Sequence, residues 1–330
     1  MKEIEKICRN SFEGCMLGIA IGDALGMPCE DYEQPELFKT FGRITDYLDP
    51  PKGQFNYGKL KAGMYTDDTE QAIILAESLV EKRGFDANHF ANKLLGEYGR
   101  RVIEHPELDR WIGGTFKKAI KNYISGLPAT KRGAKAKSCG SAMRVAPIGL
   151  VYSCRWGGLP LAEKFASESS KVTHIGAETT AAAEAVASYV SLAGGQYSVK
   201  DICDIVSEDV ERESKIIAKR IKKAYEIKDA KPEKAVKILG NSQLARETVP
   251  LAIYSFNKYP LDFENAVLTS VNAGGDTDSI ASITGTISGA FNGRRSIPNR
   301  WIEKLENKEK LIDLGNKLYD IANSMILVSK

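Results

Sequence analysis

The chain is 330 residues long, with 46 Lys plus Arg, 43 Asp plus Glu and a formal net charge of +3. That balance argues against nucleic acid or an anionic membrane as the main partner, and a hydrophobic fraction of 43% suffices for a large core. The opening "MKEIEKICRNSFEG" lacks a signal-peptide apolar run, no stretch of about 18 apolar residues predicts a membrane span, and the six cysteines (Cys8, Cys15, Cys29, Cys139, Cys154, Cys203) form no CxxC pair.

Those observations predict a cytoplasmic protein with reduced thiols, with neither a disulfide framework nor a zinc site. Only three histidines are present, His89, His105 and His174, so any bound metal has mainly oxygen ligands available.

The first predicted helix carries "GCMLGIAIGDALGM", in which Gly14, Gly18, Gly22 and Gly26 recur every four residues. On a helix that spacing makes one smooth stripe, against which a second helix can approach closely. The run is too short for a membrane helix and holds Asp23. It leads into "MPCE", which places Glu30 just past a helix end, where the C-terminal dipole disfavours a carboxylate unless something positive compensates.

Residues 44–65, rich in Pro, Gly and Tyr, read as a long loop. Beyond it "TEQAIILAESLVEKRGF" sets Ala72, Leu75, Ala76 and Leu79 on one face and stops at Gly84. "HFANKLLGEYGRRVIEHP" and "GTFKKAIKNYISGLP" continue the helical period. A small basic stretch at 128–138 reads as a second loop. Further helices are predicted over "AETTAAAEAVASYVSLAGG", over "VKDICDIVSEDVERESKIIAKRIKKAYEIKDA" as one long element, over "DFENAVLTSVNAGG", over "DTDSIASITGTISGAFNG" and over the closing "NRWIEKLENKEKLIDLGNKLYDIANSMI". Nothing alternates as strands do, no repeat is visible and no shift in composition marks a boundary. The expectation is one all-α domain over residues 1–330.

Two acidic clusters stand at predicted helix starts. "YTDDTEQA" contributes Asp67 and Asp68, and "NAGGDTDSIAS" contributes Asp276 and Asp278. Capping alone explains one side-chain oxygen at each. Each cluster supplies two carboxylates and a hydroxyl, from Thr66 and Ser279 respectively. If the clusters meet in space, four like charges repel unless cations sit among them. Carboxylates, hydroxyls and water are the ligands of Mg²⁺, Mn²⁺ or Ca²⁺, and two carboxylate pairs suit two ions better than one. An EF-hand is excluded, because its sixth and twelfth positions would be Ala281 and Ile287. The small residues after Ser279 predict a thin helix packed deep in the protein, with Gly274 and Gly275 allowing close approach of backbone or ligand.

Over roughly residues 11–295, the motifs "GCMLGIAIGDALGMPCE", "YTDDTEQAIILAESL", "DRWIGGTFKKAI", "CGSAMRVAPIGL", "SKVTH" and "VNAGGDTDSIASITGTISGAFNG" follow one another in an order that resembles the ADP-ribosylglycohydrolase family. That group includes the dinitrogenase-reductase-activating glycohydrolase. The resemblance implies an all-α domain with a dinuclear Mg²⁺ or Mn²⁺ site in a central cleft. The implied metal ligands are Thr66, Asp67, Asp68, Asp276, Asp278 and Ser279, with Glu30, Asp67 and Asp278 in catalytic roles. Asp109, Gly113, Gly140, Ser141, Met143, His174 and Gly275 are implied to line the substrate site. Cys139 stands where the family usually has Asn, and Ile175 and Gly176 stand where many bacterial relatives have polar residues and Pro.

The implied reaction is hydrolysis of ADP-ribose from an acceptor, with carboxylates stabilising oxocarbenium character. Arginine is the expected acceptor, since Asp109 suits a guanidinium. Serine-linked protein and small ADP-ribose conjugates are the alternatives. A non-catalytic ADP-ribose-binding relative and a phosphohydrolase cutting the diphosphate are rivals of other classes. A monomer is expected, with assembly left open.

Overall fold

The structure, a computed structural model, describes residues 2–127 and 132–325; part of the stretch predicted as a basic loop, residues 128–131, lies outside the described residues. In chain order the helices are α1 Lys2–Gly26, α2 Gln34–Phe41, α3 Asp67–Lys82, α4 Ala87–Ala91, α5 Arg100–Glu104, α6 Gly114–Ile124, α7 Ala146–Val151, α8 Leu159–Lys171 and α9 Ala177–Ala193. They continue as α10 Val199–Asp209, α11 Lys215–Glu226, α12 Pro232–Leu239, α13 Ala245–Lys258, α14 Phe263–Val271, α15 Thr277–Asn292, α16 Asn299–Lys304 and α17 Lys308–Met325. A π-helical stretch, Asn92–Gly99, joins α4 to α5. Two short strands, β1 Ala134–Lys135 and β2 His174–Ile175, pair in parallel with Ala134 opposite His174.

α1 and α15 form the centre. They run antiparallel with their small residues interleaved. A Cβ at Gly14, Gly18, Gly22 or Gly26 would strike the backbone of Gly289, Gly285, Ala281 or Asp278 respectively. The glycine stripe is therefore a surface for another helix, and the partner is the thin helix that follows the second acidic cluster. By length and mean hydropathy (1.2) Cys8–Cys29 could cross a membrane, which differs from the sequence expectation. It is 94% buried inside the fold, as the axis of a protein core is. Trp301, Phe90, Tyr189, Tyr254, Phe256 and Phe263 fill the space around it.

Two predicted helices are broken in the structure. The long charged element divides after Arg212, where the Ser214 hydroxyl accepts from the Ile217 N–H at 3.4 Å and starts α11. The break lets α10 and α11 fold back so that Ile202 and Val206 share one core with Ile217 and Ile221. The closing element divides at Asn307, which has a φ of +53°. There the Glu306 N–H donates to the Gly63 carbonyl at 2.9 Å, pinning the loop over 44–65.

Away from the centre, α9 buries Glu184, whose Oε2 has no hydrogen-bond partner among the described residues. Burial first, then the charges of Glu213 and Glu163, outweigh Arg212 and push its pKa up to about 7 from 4.5. The folded chain therefore holds this proton more tightly than the unfolded chain. The resulting stability is full below about pH 4.5 and lost as pH rises through about 7.

Three outcomes follow. Gly18→Ala should lower stability by about 3 kcal/mol in denaturant titration, because backbone of the facing helix cannot yield. Gly113→Ala, with φ −69° and open space around its Cβ, should change stability by less than about 0.5 kcal/mol. Glu184→Gln should raise the melting temperature by about 2 °C at pH 8, for a solvent-screened effect of about 1 kcal/mol, and leave it unchanged at pH 4.

Candidate functional site

Because α1 and α15 are antiparallel, the exit of one lies beside the entry of the other. The four-residue register of the glycines carries Glu30 to Asp276 and Asp278. Two backbone bonds tie the turns together: the Asp31 N–H donates to the Gly275 carbonyl at 2.9 Å, and the Gly275 N–H donates to the Tyr32 carbonyl at 2.8 Å. Gly274 and Gly275 both sit at φ +74°, which a side chain would strain. Asp31 adopts φ +70° without being glycine, an uncommon conformation fixed here by the paired turn. Carboxylate oxygens of Glu30, Asp276 and Asp278 come within 4.8 Å of one another.

α3 arrives from the other side, held by Asp23. The Asp23 carboxylate accepts from the Thr66 N–H at 2.9 Å, the Thr69 N–H at 3.0 Å and the Thr69 hydroxyl at 2.6 Å. The Thr66 hydroxyl caps α3, accepting from the Asp68 N–H at 3.3 Å. Asp67, Asp68, Glu30, Asp276, Asp278 and Ser279 then share one cleft of about 250 Å³. Its opposite wall is made by Trp111, Gly113, Phe116, Gly140, Met143 and His174.

The electrostatics of this floor are unfavourable as they stand. Burial, then the neighbouring carboxylates, hold Glu30, Asp67, Asp68 and Asp278 well above the ordinary carboxylate range. Asp278 is the strongest repelling neighbour of the other three. Burial pushes Asp276 up to about 6, checked by hydrogen bonds from Cys139, Thr248 and Ser279. Glu30 Oε2 and Asp68 Oδ2 are buried and have no hydrogen-bond partner among the described residues. Burying several carboxylates with orphaned oxygens, none of them ion-paired among the described residues, is costly unless cations or protons compensate. The donor set is oxygen-only, which fits hard divalent cations such as Mg²⁺ or Mn²⁺ and not soft metals.

Thr66 is fully buried at the start of α3, its N–H on Asp23 and its hydroxyl accepting one bond from the Asp68 N–H, which leaves that oxygen a second lone pair beside the carboxylates. Other sequence-predicted residues lie elsewhere. Asp109 does not line the cleft: its Oδ1 accepts from the Trp111 and Ile112 N–H groups at 2.9 and 2.8 Å, and its Oδ2 pairs with Lys117 at 3.1 Å. This carboxylate holds Trp111 at φ +85° beside the cleft. Ser141 turns into the core, donating to the Thr179 carbonyl at 3.2 Å and accepting from Ser170 at 2.9 Å. Gly275 faces a neighbouring depression with Asn241 and Gln243.

Sequence reasoning missed several contributors. Asp23 had a visible signal, a lone carboxylate inside an apolar glycine stripe. Thr248, whose hydroxyl donates to Asp276 Oδ2 at 3.0 Å, had none, because it lies mid-helix in α13. Cys139 is a donor to the same oxygen, at 3.2 Å. Gln71, which donates to Asp67 Oδ2 at 2.5 Å, was legible only as one polar residue of a helix.

Residues 5–325 match the model of the ADP-ribosylglycohydrolase family. The chain belongs to the ADP-ribosylglycohydrolase family, whose members cleave glycosidic bonds. An uncharacterized protein of Archaeoglobus fulgidus is 41% identical, over 94% of this chain and 96% of its own. ADP-ribosylhydrolase ARH3 of Homo sapiens is 29% identical over 94% and 93%. ADP-ribosylarginine hydrolase Tri1 of Serratia proteamaculans is 27% identical over 94% and 79%. Among solved structures, an ADP-ribosylglycohydrolase-related protein complex superposes with a TM-score of 0.76 at 25% identity, over 96% of this chain and 99% of its own.

The repulsion in the floor makes a signed prediction for Asp278→Asn. Removing one charge should raise the melting temperature in chelator. It should also abolish most of the stabilisation expected from Mn²⁺, about 2.7 kcal/mol for the wild type at a hundredfold excess over Kd. Thermal melts with chelator and with Mn²⁺ read both; an unchanged Mn²⁺ increment removes Asp278 from the ligand set.

Proposed function

We propose that this protein is a divalent-metal-dependent hydrolase that releases ADP-ribose from an ADP-ribosylated acceptor, with ADP-ribosylarginine in protein as its first substrate. The observation that carries the reading is the meeting of Glu30, Asp276 and Asp278 within 4.8 Å, with orphaned carboxylate oxygens, in a chain of this family. Support for arginine comes from the resemblance to Tri1 and from the anionic floor, which suits a guanidinium.

Thr66, Asp67, Asp68, Asp276, Asp278 and Ser279, with Glu30 beside them, would hold two Mg²⁺ or Mn²⁺ ions. When bound, such ions supply Lewis-acid polarisation and a template for hydroxyl groups. The chain's own residues do the rest. The carboxylates stabilise positive charge developing at the anomeric carbon as the bond to the acceptor nitrogen breaks and a water oxygen attaches. Glu30 accepts the proton of that water and passes it on to the freed guanidine, so that the carboxylate is restored at the end of the step. Gly113, Gly140, Met143 and His174 shape the ligand wall, and Trp111 with Phe116 makes part of it apolar.

A serine linkage is the second reading. It is favoured by the full occupation of Asp109 by Trp111, Ile112 and Lys117, which leaves that carboxylate no guanidinium to pair with.

The test is turnover of matched arginine- and serine-ADP-ribosylated peptides with Mg²⁺, with Mn²⁺ and with chelator. Metal-dependent release of free ADP-ribose from the arginine peptide is expected, and release from the serine peptide alone moves the assignment to that linkage. AMP as the product, or binding without turnover, overturns the hydrolase reading. Glu30→Gln should keep metal stabilisation and lose about 100-fold in kcat; full turnover in that variant sinks the role given to Glu30.

A further inference from the structure

Behind the ligand wall lies Arg144, fully buried and linked to both sides of the cleft. Its Nη1 donates to Gln71 Oε1 at 2.8 Å and to the Gly140 carbonyl at 3.0 Å. Its Nη2 donates to Thr173 Oγ1 at 2.6 Å and to the Ser169 carbonyl at 3.3 Å. A guanidinium only donates, so each of these bonds has a fixed direction. At Gln71 the carbonyl oxygen is taken, and the amide NH₂ therefore points to Asp67 Oδ2 at 2.5 Å. At Thr173 the oxygen accepts from Arg144, which leaves the hydroxyl proton for its other neighbour, His174 Nδ1 at 2.7 Å.

Thr173 is fully buried, and among the described residues its hydroxyl has no third partner. A buried hydroxyl proton needs an acceptor, so Nδ1 accepts and the neutral ring carries its proton on Nε2. Burial, then the Arg144 charge, lowers the imidazole pKa to about 3, which keeps the ring neutral. Nε2 has no hydrogen-bond partner among the described residues, and the ring lines the cleft. A Cβ at Gly140 would lie 2.7 Å from Nε2, so only glycine there leaves this nitrogen open.

We propose that Arg144 is a positioning residue of the cleft: through Thr173 it sets the Nε2–H tautomer of His174, and through Gln71 it directs an amide donor at Asp67. The ring thus presents a fixed donor to an acceptor oxygen of the ligand. Its lone pair faces Thr173, so Nε2 is not a metal ligand. The nature of the ligand rests on the ADP-ribosylhydrolase reading; the tautomer does not.

The experiment is ¹⁵N NMR of histidine-labelled protein, with calorimetry of ADP-ribose binding on the same samples. With only three histidines in the chain, a His89→Gln/His105→Gln background leaves the His174 signals alone. A pyrrole-type Nε2 and a pyridine-type Nδ1 are expected. Thr173→Val should bring in the Nδ1–H form and weaken ADP-ribose binding about tenfold, and Thr173→Ser should restore both. Arg144→Lys, shown folded by its melting curve, should behave as Thr173→Val does. A protonated Nδ1 in the parent, or tautomer signals unchanged in Thr173→Val and Arg144→Lys, overturns the proposal. A changed tautomer with unchanged affinity overturns the ligand role of His174. The expected spectra without any ADP-ribose binding overturn the functional reading and leave the tautomer assignment standing.

Discussion

The close approach of α1 to α15 is the constraint on which the rest depends. Two helices can touch backbone to backbone only where side chains are absent, and the stripe from Gly14 to Gly26 meets Gly289, Gly285, Ala281 and Asp278 in strict register. A one-residue slip would drive side chains into the partner backbone. That rigidity is useful at the far end of the contact. There the chain leaves α1 through Glu30 and enters α15 through Asp276, and the paired bonds of Asp31, Tyr32 and Gly275 close the turn. The carboxylate floor is the end of a helix pair whose spacing tolerates no adjustment.

The same end gathers charge that a folded protein otherwise avoids. Asp23 anchors the start of α3 against α1, and this anchor brings Asp67 and Asp68 to the carboxylates already held by α15. Folding energy from the helix core holds together groups that repel, and only protons or cations among them relieve that repulsion. Glu30 and Asp68 each carry a buried oxygen with no hydrogen-bond partner among the described residues. Around the floor, neutral donors from Thr248, Cys139 and Gln71 orient carboxylate oxygens without cancelling their charge. Arg144 stays behind the wall, spending its donors on Gln71, Gly140, Thr173 and Ser169 instead of an acidic partner.

Much of this was legible along the chain because the signals are local. Four-residue glycine spacing means a helix stripe wherever it occurs, and a doubled carboxylate beside a hydroxyl at a helix start reads the same in any fold. The helix breaks at Ser214 and Asn307 were not legible, because periodicity continues across both. They exist because the fold must turn there, so that Ile217 can pack with Ile202 and Glu306 can reach Gly63. Asp109 shows the converse case. As a residue type it suits a guanidinium, yet its carboxylate is consumed by two backbone N–H groups and Lys117.

By itself, then, the sequence determined the helical class, the two acidic clusters, the oxygen-only ligand chemistry and the family. Those are properties of residue type and spacing, carried by each segment alone. The tertiary structure decided which carboxylates meet, which are left without partners, and which of the implied ligand residues reach the cleft at all. It decided these through contacts more than forty residues apart, such as Asp23 with Thr66, Glu30 with Asp276 and Asp278, and Cys139 with Asp276. Distances between remote groups are set by packing, and no local pattern encodes them.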